Sequence, residues 1–300
     1  MRSVIHINVA PARPAAPIVA VLLLLLGLAA GASADESAEK KELGSLIDSK
    51  FTLALGGFFP RVSSTFSLNA PDGTSGGDVS FEDDLGMDES TASAWVGFNW
   101  RFQPRHQFQA EWFQLNRSGE STAQRTIGPI GSTTIGLGAD LSSKIDFNLG
   151  RLTYGYSFWQ NEDWRLAFLV GVHVATFKAT VTAGGNVTVN GVPIVSKTKT
   201  ESTSTQTIPL PHFGGSVAYR ISPRWSTNLS VLAFALEIDN YGGSLVEVDA
   251  NVAYQLSNHF GIGGGLKYFN LYLEANSDGG GGASYDYQFF GPAIFGYATF

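Results

Sequence analysis

Histidine is the base that a hydrolytic site most often needs, and four of the five histidines lie beyond residue 100: His106, His173, His212 and His259. A nucleophile–base couple asks for a hydroxyl beside an imidazole that a third group orients. Two residues after these histidines stand Phe108, Ala175, Gly214 and Gly261, so no His-x-Ser pair occurs, and none has Asp two residues before it. Catalysis has no local signature here, although a Ser–His couple built from distant strands stays open. The densest negative charge is the run from Phe81 to Glu89. Its Glu82, Asp83, Asp84, Asp88 and Glu89 offer the oxygen ligands that Ca²⁺ or Mg²⁺ prefer, but not at EF-hand spacing. A solvated acidic loop is the favoured reading, with this cluster a weak metal candidate and no metal or cofactor expected. Gly261 to Lys267 looks like a phosphate loop only at first sight, since Leu266 stands where the last glycine should be. Strand glycines making room for larger neighbours explain it better.

The remaining constellation is ionic: Arg101, Glu111, Arg165, His173, His212, Arg220, Glu247, Asp249 and Lys267. All fall on the polar side of strand-like segments. Enclosed charges must pair or stay hydrated. Arg101, Arg220 and Lys267 are therefore expected to face Glu111, Glu247 and Asp249 in a network.

The elements that must hold these residues are read from a period of two. Val246, Val248, Ala250, Val252, Tyr254 and Leu256 alternate with Glu247, Asp249, Asn251, Ala253 and Gln255, giving one apolar and one charged face. The pattern returns at 91–102, where Ser93, Asn99 and Arg101 oppose Val96, Phe98 and Trp100, and at 164–180, where Arg165 and His173 oppose Phe168 and Val170. It breaks at Gly150-Arg151. Ile145, Phe147 and Leu149 share one parity, Leu152, Tyr154 and Phe158 the other. Either a bulge sits there or the upper half stands clear of lipid. Ten segments result: 51–68, 91–102, 106–117, 144–158, 164–180, 207–221, 225–238, 244–256, 259–274 and 285–300. Pro60 makes the first the least regular. Short turns such as Gln103-Pro104-Arg105 and Ser222-Pro223-Arg224 alternate with long Gly/Ser/Thr-rich connections. Val189-Asn190-Gly191-Val192 signals a hairpin turn in one of those. Trp100, Trp159, Trp164 and Trp225 gather near the short turns, as an interfacial girdle would.

Residues 1–34 carry Arg2 and Arg13, an apolar run from Ile18 to Ala30 and an Ala-x-Ala site, the marks of a cleaved signal peptide. A polar leader, 35–49, follows, and 50–300 forms one domain. There is no cysteine, which excludes a disulfide scaffold and a lipid-anchored start. Lys+Arg 19 against Asp+Glu 26 gives a net charge of −7, which argues against nucleic acid as a partner.

An exported chain of dyad strands that closes on Gly296-Tyr297-Ala298-Thr299-Phe300 resembles bacterial outer-membrane β-barrels, in build the small OmpA- and OmpX-type barrels. The resemblance covers Phe51 to Phe300 as a pattern. It implies an all-β, antiparallel, up-and-down transmembrane barrel of about ten strands, with eight or twelve as alternatives, in the outer membrane of a Gram-negative cell. It also implies that Phe300 is part of the signal read by the barrel-assembly machinery. Omptin-type proteases carry Asp-x-His opposite paired acids and small lipid A deacylases carry His-x-Ser, and neither motif is present. The leading expectation is a non-catalytic, monomeric surface barrel serving envelope integrity or interaction through its loops. Lipid and lipopolysaccharide are its expected surroundings, with the acidic run a candidate for meeting the ions that bridge the latter. A narrow porin-like channel for small hydrophilic solutes comes second and an outer-membrane hydrolase third.

Overall fold

A computed structural model describes residues 46–69, 75–124, 127–130, 133–189, 192–276 and 281–300. The expected signal peptide and most of the leader lie outside them, as do Asn190 and Gly191.

Among the described residues fourteen strands form: β1 Phe51–Phe58, β2 Arg61–Asn69, β3 Ser75–Ser80, β4 Ser93–Gln103, β5 His106–Thr122, β6 Ile127–Ile130, β7 Thr133–Ile135, β8 Asp140–Gln160, β9 Trp164–Val189, β10 Val192–Arg220, β11 Trp225–Ile238, β12 Tyr241–Gln255, β13 Phe260–Asn276 and β14 Gly282–Thr299. Ten of them make an antiparallel ring in the order β1-β4-β5-β8-β9-β10-β11-β12-β13-β14, and β14 pairs back to β1 from Thr52↔Thr299 to Phe58↔Ala293. Closure leaves no free sheet edge in the ring, which is the condition for strands to cross hydrocarbon. Phe51 and Phe300 exchange backbone hydrogen bonds of 2.9 Å at the seam.

The first expected segment is split. Pro60 has no N–H to give the ladder, so β1 ends at Phe58 and β2 restarts at Arg61. β14 serves both, pairing β1 through 293–299 and β2 through 282–290. The end of the acidic run then patches the wall beyond β1. Val62 N–H donates to the Glu89 carbonyl at 2.7 Å, and Met87 bridges to Gly119.

The long connections are more ordered than the sequence suggests. β9 and β10 run on as one antiparallel ribbon to Val189↔Val192, so the expected external hairpin is a continuation of the wall and not a separate element. The short turns and the seam lie at one end, the long connections at the other, as in barrels with short periplasmic turns and long external loops.

Outside, the ring presents Leu53, Phe98, Trp112, Leu152, Phe168, Val170, Phe213 and Ile294 to the surroundings, and Trp100, Trp159, Trp164 and Trp225 near the short turns. Inside, the upper half holds a packed apolar core. Phe58, Phe113, Phe147, Phe269, Tyr287 and Phe289 meet there with Leu115, Leu245 and Leu271. Phe269 stacks on Phe289 at 4.8 Å, and Phe147 meets Tyr287 at 4.7 Å. This resolves the break at Gly150. β8 keeps one parity throughout, with Ile145, Phe147 and Leu149 facing the interior alongside Thr153 and Ser157. The bulge is absent at Gly150; the register shifts between Ser157 and Trp159 instead. Apolar residues in β8 change sides because the interior itself is apolar above Arg151.

Candidate functional site

Directly below the aromatic layer, strand register brings charges to one height. Glu111 on β5 lies opposite Arg151 on β8, Arg151 opposite His173 on β9, and Asp249 on β12 opposite Lys267 on β13. Side chains directly opposite on neighbouring strands are within contact distance, and the narrow lumen brings the far wall close as well. Arg151 uses the planar fork of its guanidinium to reach three carboxylates: Glu111 at 2.7 Å, Asp249 at 3.1 Å, and Glu247. Lys267 Nζ bridges Glu111 at 2.7 Å and Asp249 at 2.8 Å. The second oxygen of Glu247 meets His173 Nε2 at 2.7 Å.

A neutral relay leads on from Glu247. His173 Nδ1 lies 3.0 Å from His212 Nδ1, and His212 Nε2 lies 3.0 Å from Thr153 Oγ1. With both rings uncharged, one proton order satisfies every atom. Thr153 donates to His212 Nε2, His212 Nδ1–H donates to His173 Nδ1, and His173 Nε2–H donates to Glu247. A hydroxyl, an imidazole and an orienting acid are the parts of a nucleophilic couple. Here Thr153 and His173 are 0% exposed and His212 1%, so the parts lie where no substrate reaches them.

The carboxylate atoms of Glu111, Glu247 and Asp249 lie within 4.8 Å of one another, the grouping among the described residues nearest to a metal donor set. Arg151 and Lys267 already fill it. The acidic run does not converge: Glu82 turns inward to buried Arg117, while Asp84 accepts from the Ser80 N–H at 2.9 Å and Asp83 meets the Ser80 hydroxyl at 3.3 Å. Arg117 also donates to Ser64 Oγ at 2.8 Å, forming an upper ionic latch above the aromatic layer. Asp88 and Glu89 take part through backbone atoms in the wall.

Of the nine ionic residues expected to share the interior, the network takes Glu111, His173, His212, Glu247, Asp249 and Lys267. Arg101, Arg165 and Arg220 face inward but belong elsewhere. On β4 it is Gly97 that lies opposite Glu111, four residues above Arg101, and at about 3.3 Å per residue the two are separated by roughly 13 Å. These arginines instead ring the mouth at the short-turn end. Arg165 and Arg220 converge on Asp48, the former at 3.4 Å, and Arg101 donates to the Ser49 carbonyl at 3.3 Å. The expected pairing of Arg101 and Arg220 with the lumen acids is thus incorrect, because both sit at strand ends. Sequence reading missed Arg151, the cation at the centre, along with Thr153 and Asp48. Unbroken parity from Ile145 to Ser157 would have revealed the first two.

Between network and mouth lies a cavity of ≈ 230 Å³, lined by Thr52, Trp95, Asn99, Arg101 and Arg165, roofed by Glu111, Arg151 and Lys267, and floored by Leu46 and Ile47. The glycines of β13 give it width: a Cβ on Gly265 would lie 2.8 Å from the Asn251 side chain, and one on Gly263 would strike the Phe295 ring.

No family model matches the chain, and no curated protein does. Among solved structures it is similar to the outer membrane protease OmpT from Escherichia coli, at 12% identity over 86% of this chain and 99% of that one, with a TM-score of 0.56. Weaker likenesses are to OprG from Pseudomonas aeruginosa (12% identity, 88% and 99% covered, TM-score 0.32) and to Ail, the attachment invasion locus protein of Yersinia pestis (8%, 83% and 99%, 0.31). The fold is that of a bacterial outer-membrane β-barrel. Its outer face carries an apolar belt of the kind that such barrels turn to hydrocarbon.

Proposed function

We propose that this chain is a sealed, non-catalytic outer-membrane barrel that acts through what it presents at the cell surface, in envelope integrity or interaction. One observation carries the reading: two stacked cross-sections fill the lumen, an aromatic layer and, beneath it, an ionic layer in which every charge has a partner. A filled interior is what barrels of about eight strands tend to have, whereas wide aqueous channels belong to sixteen or more. Its longest strands, of 26 and 29 residues, far exceed the roughly 9–11 needed to cross a membrane, so a ribbon of Thr- and Ser-rich wall stands above the lipid. That ribbon and the cap around Glu82 form the surface offered to lipopolysaccharide or to a partner. Assembly through recognition of Phe300 belongs to the same proposal.

The channel reading loses support because the cavity ends under the ionic layer. The hydrolase reading has one favourable observation, the Thr153–His212–His173–Glu247 relay, and its burial counts against it. Vesicles carrying the purified barrel should neither swell in isotonic small sugars nor release products from phospholipid, lipopolysaccharide or peptide. Sustained swelling would favour the channel, and turnover lost on Thr153→Val would favour the hydrolase.

A further inference from the structure

Below the ionic layer the lumen keeps a lower cup, and its chemistry does not balance. Arg101 and Arg165 line it, Arg220 joins Arg165 on Asp48 beside them, and among the described residues Asp48 is the carboxylate that these two arginines share. Asp48 belongs to the leader and not to the wall. All three arginines keep an Nε–H, shielded from solvent, that no protein atom accepts. Higher in the cavity the Thr52 hydroxyl and the Trp95 indole N–H are likewise buried and unpartnered. Thr52 and Arg101 are each 9% exposed, so these are interior groups, not surface ones. Buried donors without acceptors are costly unless something else occupies the space.

We propose that this cup is a binding site for a small soluble oxyanion of the phosphate or carboxylate class, and that Asp48 is its built-in competitor. Guanidinium forks suit two-oxygen acceptors, and the Asp48 carboxylate already takes this role between Arg165 and Arg220. A volume of ≈ 230 Å³ is many times what one water needs and admits a phosphate with part of its hydration. The arginines point into the lumen from β4, β9 and β10, so lipid head groups, which lie outside the wall, do not share the approach. Leu46 and Ile47 line the floor beside Asp48, so an incoming anion competes with Asp48 for the arginines. Apparent affinity is therefore reduced by the fraction of molecules in which Asp48 holds the mouth.

Trp95 lines the cavity, so binding can be read by tryptophan fluorescence of the full barrel in detergent micelles, titrated with inorganic phosphate at constant ionic strength. Asp48→Asn removes the competitor's charge and should tighten phosphate binding by about tenfold, the change expected when one charge-assisted contact no longer competes. Arg101→Gln in the Asp48→Asn background should abolish saturation, while heat-modifiable migration reports that the barrel stays folded. Chloride at matched ionic strength should not compete. No saturable signal in either wild type or Asp48→Asn would overturn the proposal. So would phosphate binding that Arg101→Gln leaves unchanged, or a loss of affinity in Asp48→Asn.

Discussion

Arg151 is the residue on which the ionic layer turns, and replacing it measures how tightly the lumen is bound together. Its guanidinium holds Glu111, Glu247 and Asp249 at once, with about a tenth of the side chain exposed. In Arg151→Ala the three carboxylates remain crowded within 4.8 Å of one another, with Lys267 and His173 left to offset them. Removing one partner of a buried ionic group typically costs 3–5 kcal/mol, mostly because uncompensated charge is left behind. The loss should therefore be about 4 kcal/mol, less than the sum of three charged hydrogen bonds, since contacts in one network are not additive. Denaturant unfolding from phosphocholine vesicles, followed by tryptophan fluorescence, gives the value. Arg151→Met combined with Glu111→Gln and Glu247→Gln removes cation and excess anions together and should recover most of the loss. A cost for Arg151→Ala of about 1 kcal/mol or less, the size of an exposed pair, would refute the buried network. So would a triple variant no more stable than the single one.

Three further outcomes follow from the layering. Val170, 54% exposed on the outer face and roughly mid-way up the lipid-facing part of β9, should cost about 2–4 kcal/mol when changed to Arg, measured by the same unfolding; a neutral result would mean that this face does not meet lipid. Arg117→Ala should release Glu82 and Ser64, making the segment between β3 and β4 sensitive to limited proteolysis while the ring stays heat-modifiable; unchanged cleavage would show that the latch does not hold the cap. Gly171→Ala would set a methyl 2.8 Å from His212 Nε2 and against the Leu152 carbonyl, and should reduce stability by about 1–3 kcal/mol as overpacking does; wild-type stability would contradict the packing around the relay.

Much of the ring could be read from the sequence because lipid imposes a strict alternation. Ser93 and Arg101 on β4 and Glu247 and Asp249 on β12 turn inward as the pattern dictates, although Val248 and Ala250, on the other face of β12, are buried as well. The rule that apolar residues face outward failed where the interior is also apolar. The parity of Phe147 and Leu149 then clashed with that of Leu152 and Tyr154, and Arg151 was lost at the break. Pairing across the lumen was illegible for a different reason. Alternation tells which face a charge takes but not its height, and height separates Arg101 from Glu111. Asp48 and Arg117 depend on segments that fold back into the barrel, and local pattern carries no trace of that. Nor does the acidic run reveal that only Glu82 turns inward, since all five acids look equally solvated in sequence.

A lumen closed by an aromatic layer over a paired ionic layer should pass no ionic current. Single-channel recording of the wild-type barrel in a planar bilayer tests it most directly. A flat baseline is expected over the range in which the membrane itself is stable, with no unitary steps. Steady, reproducible conductance steps would contradict it and make the channel reading the leading one.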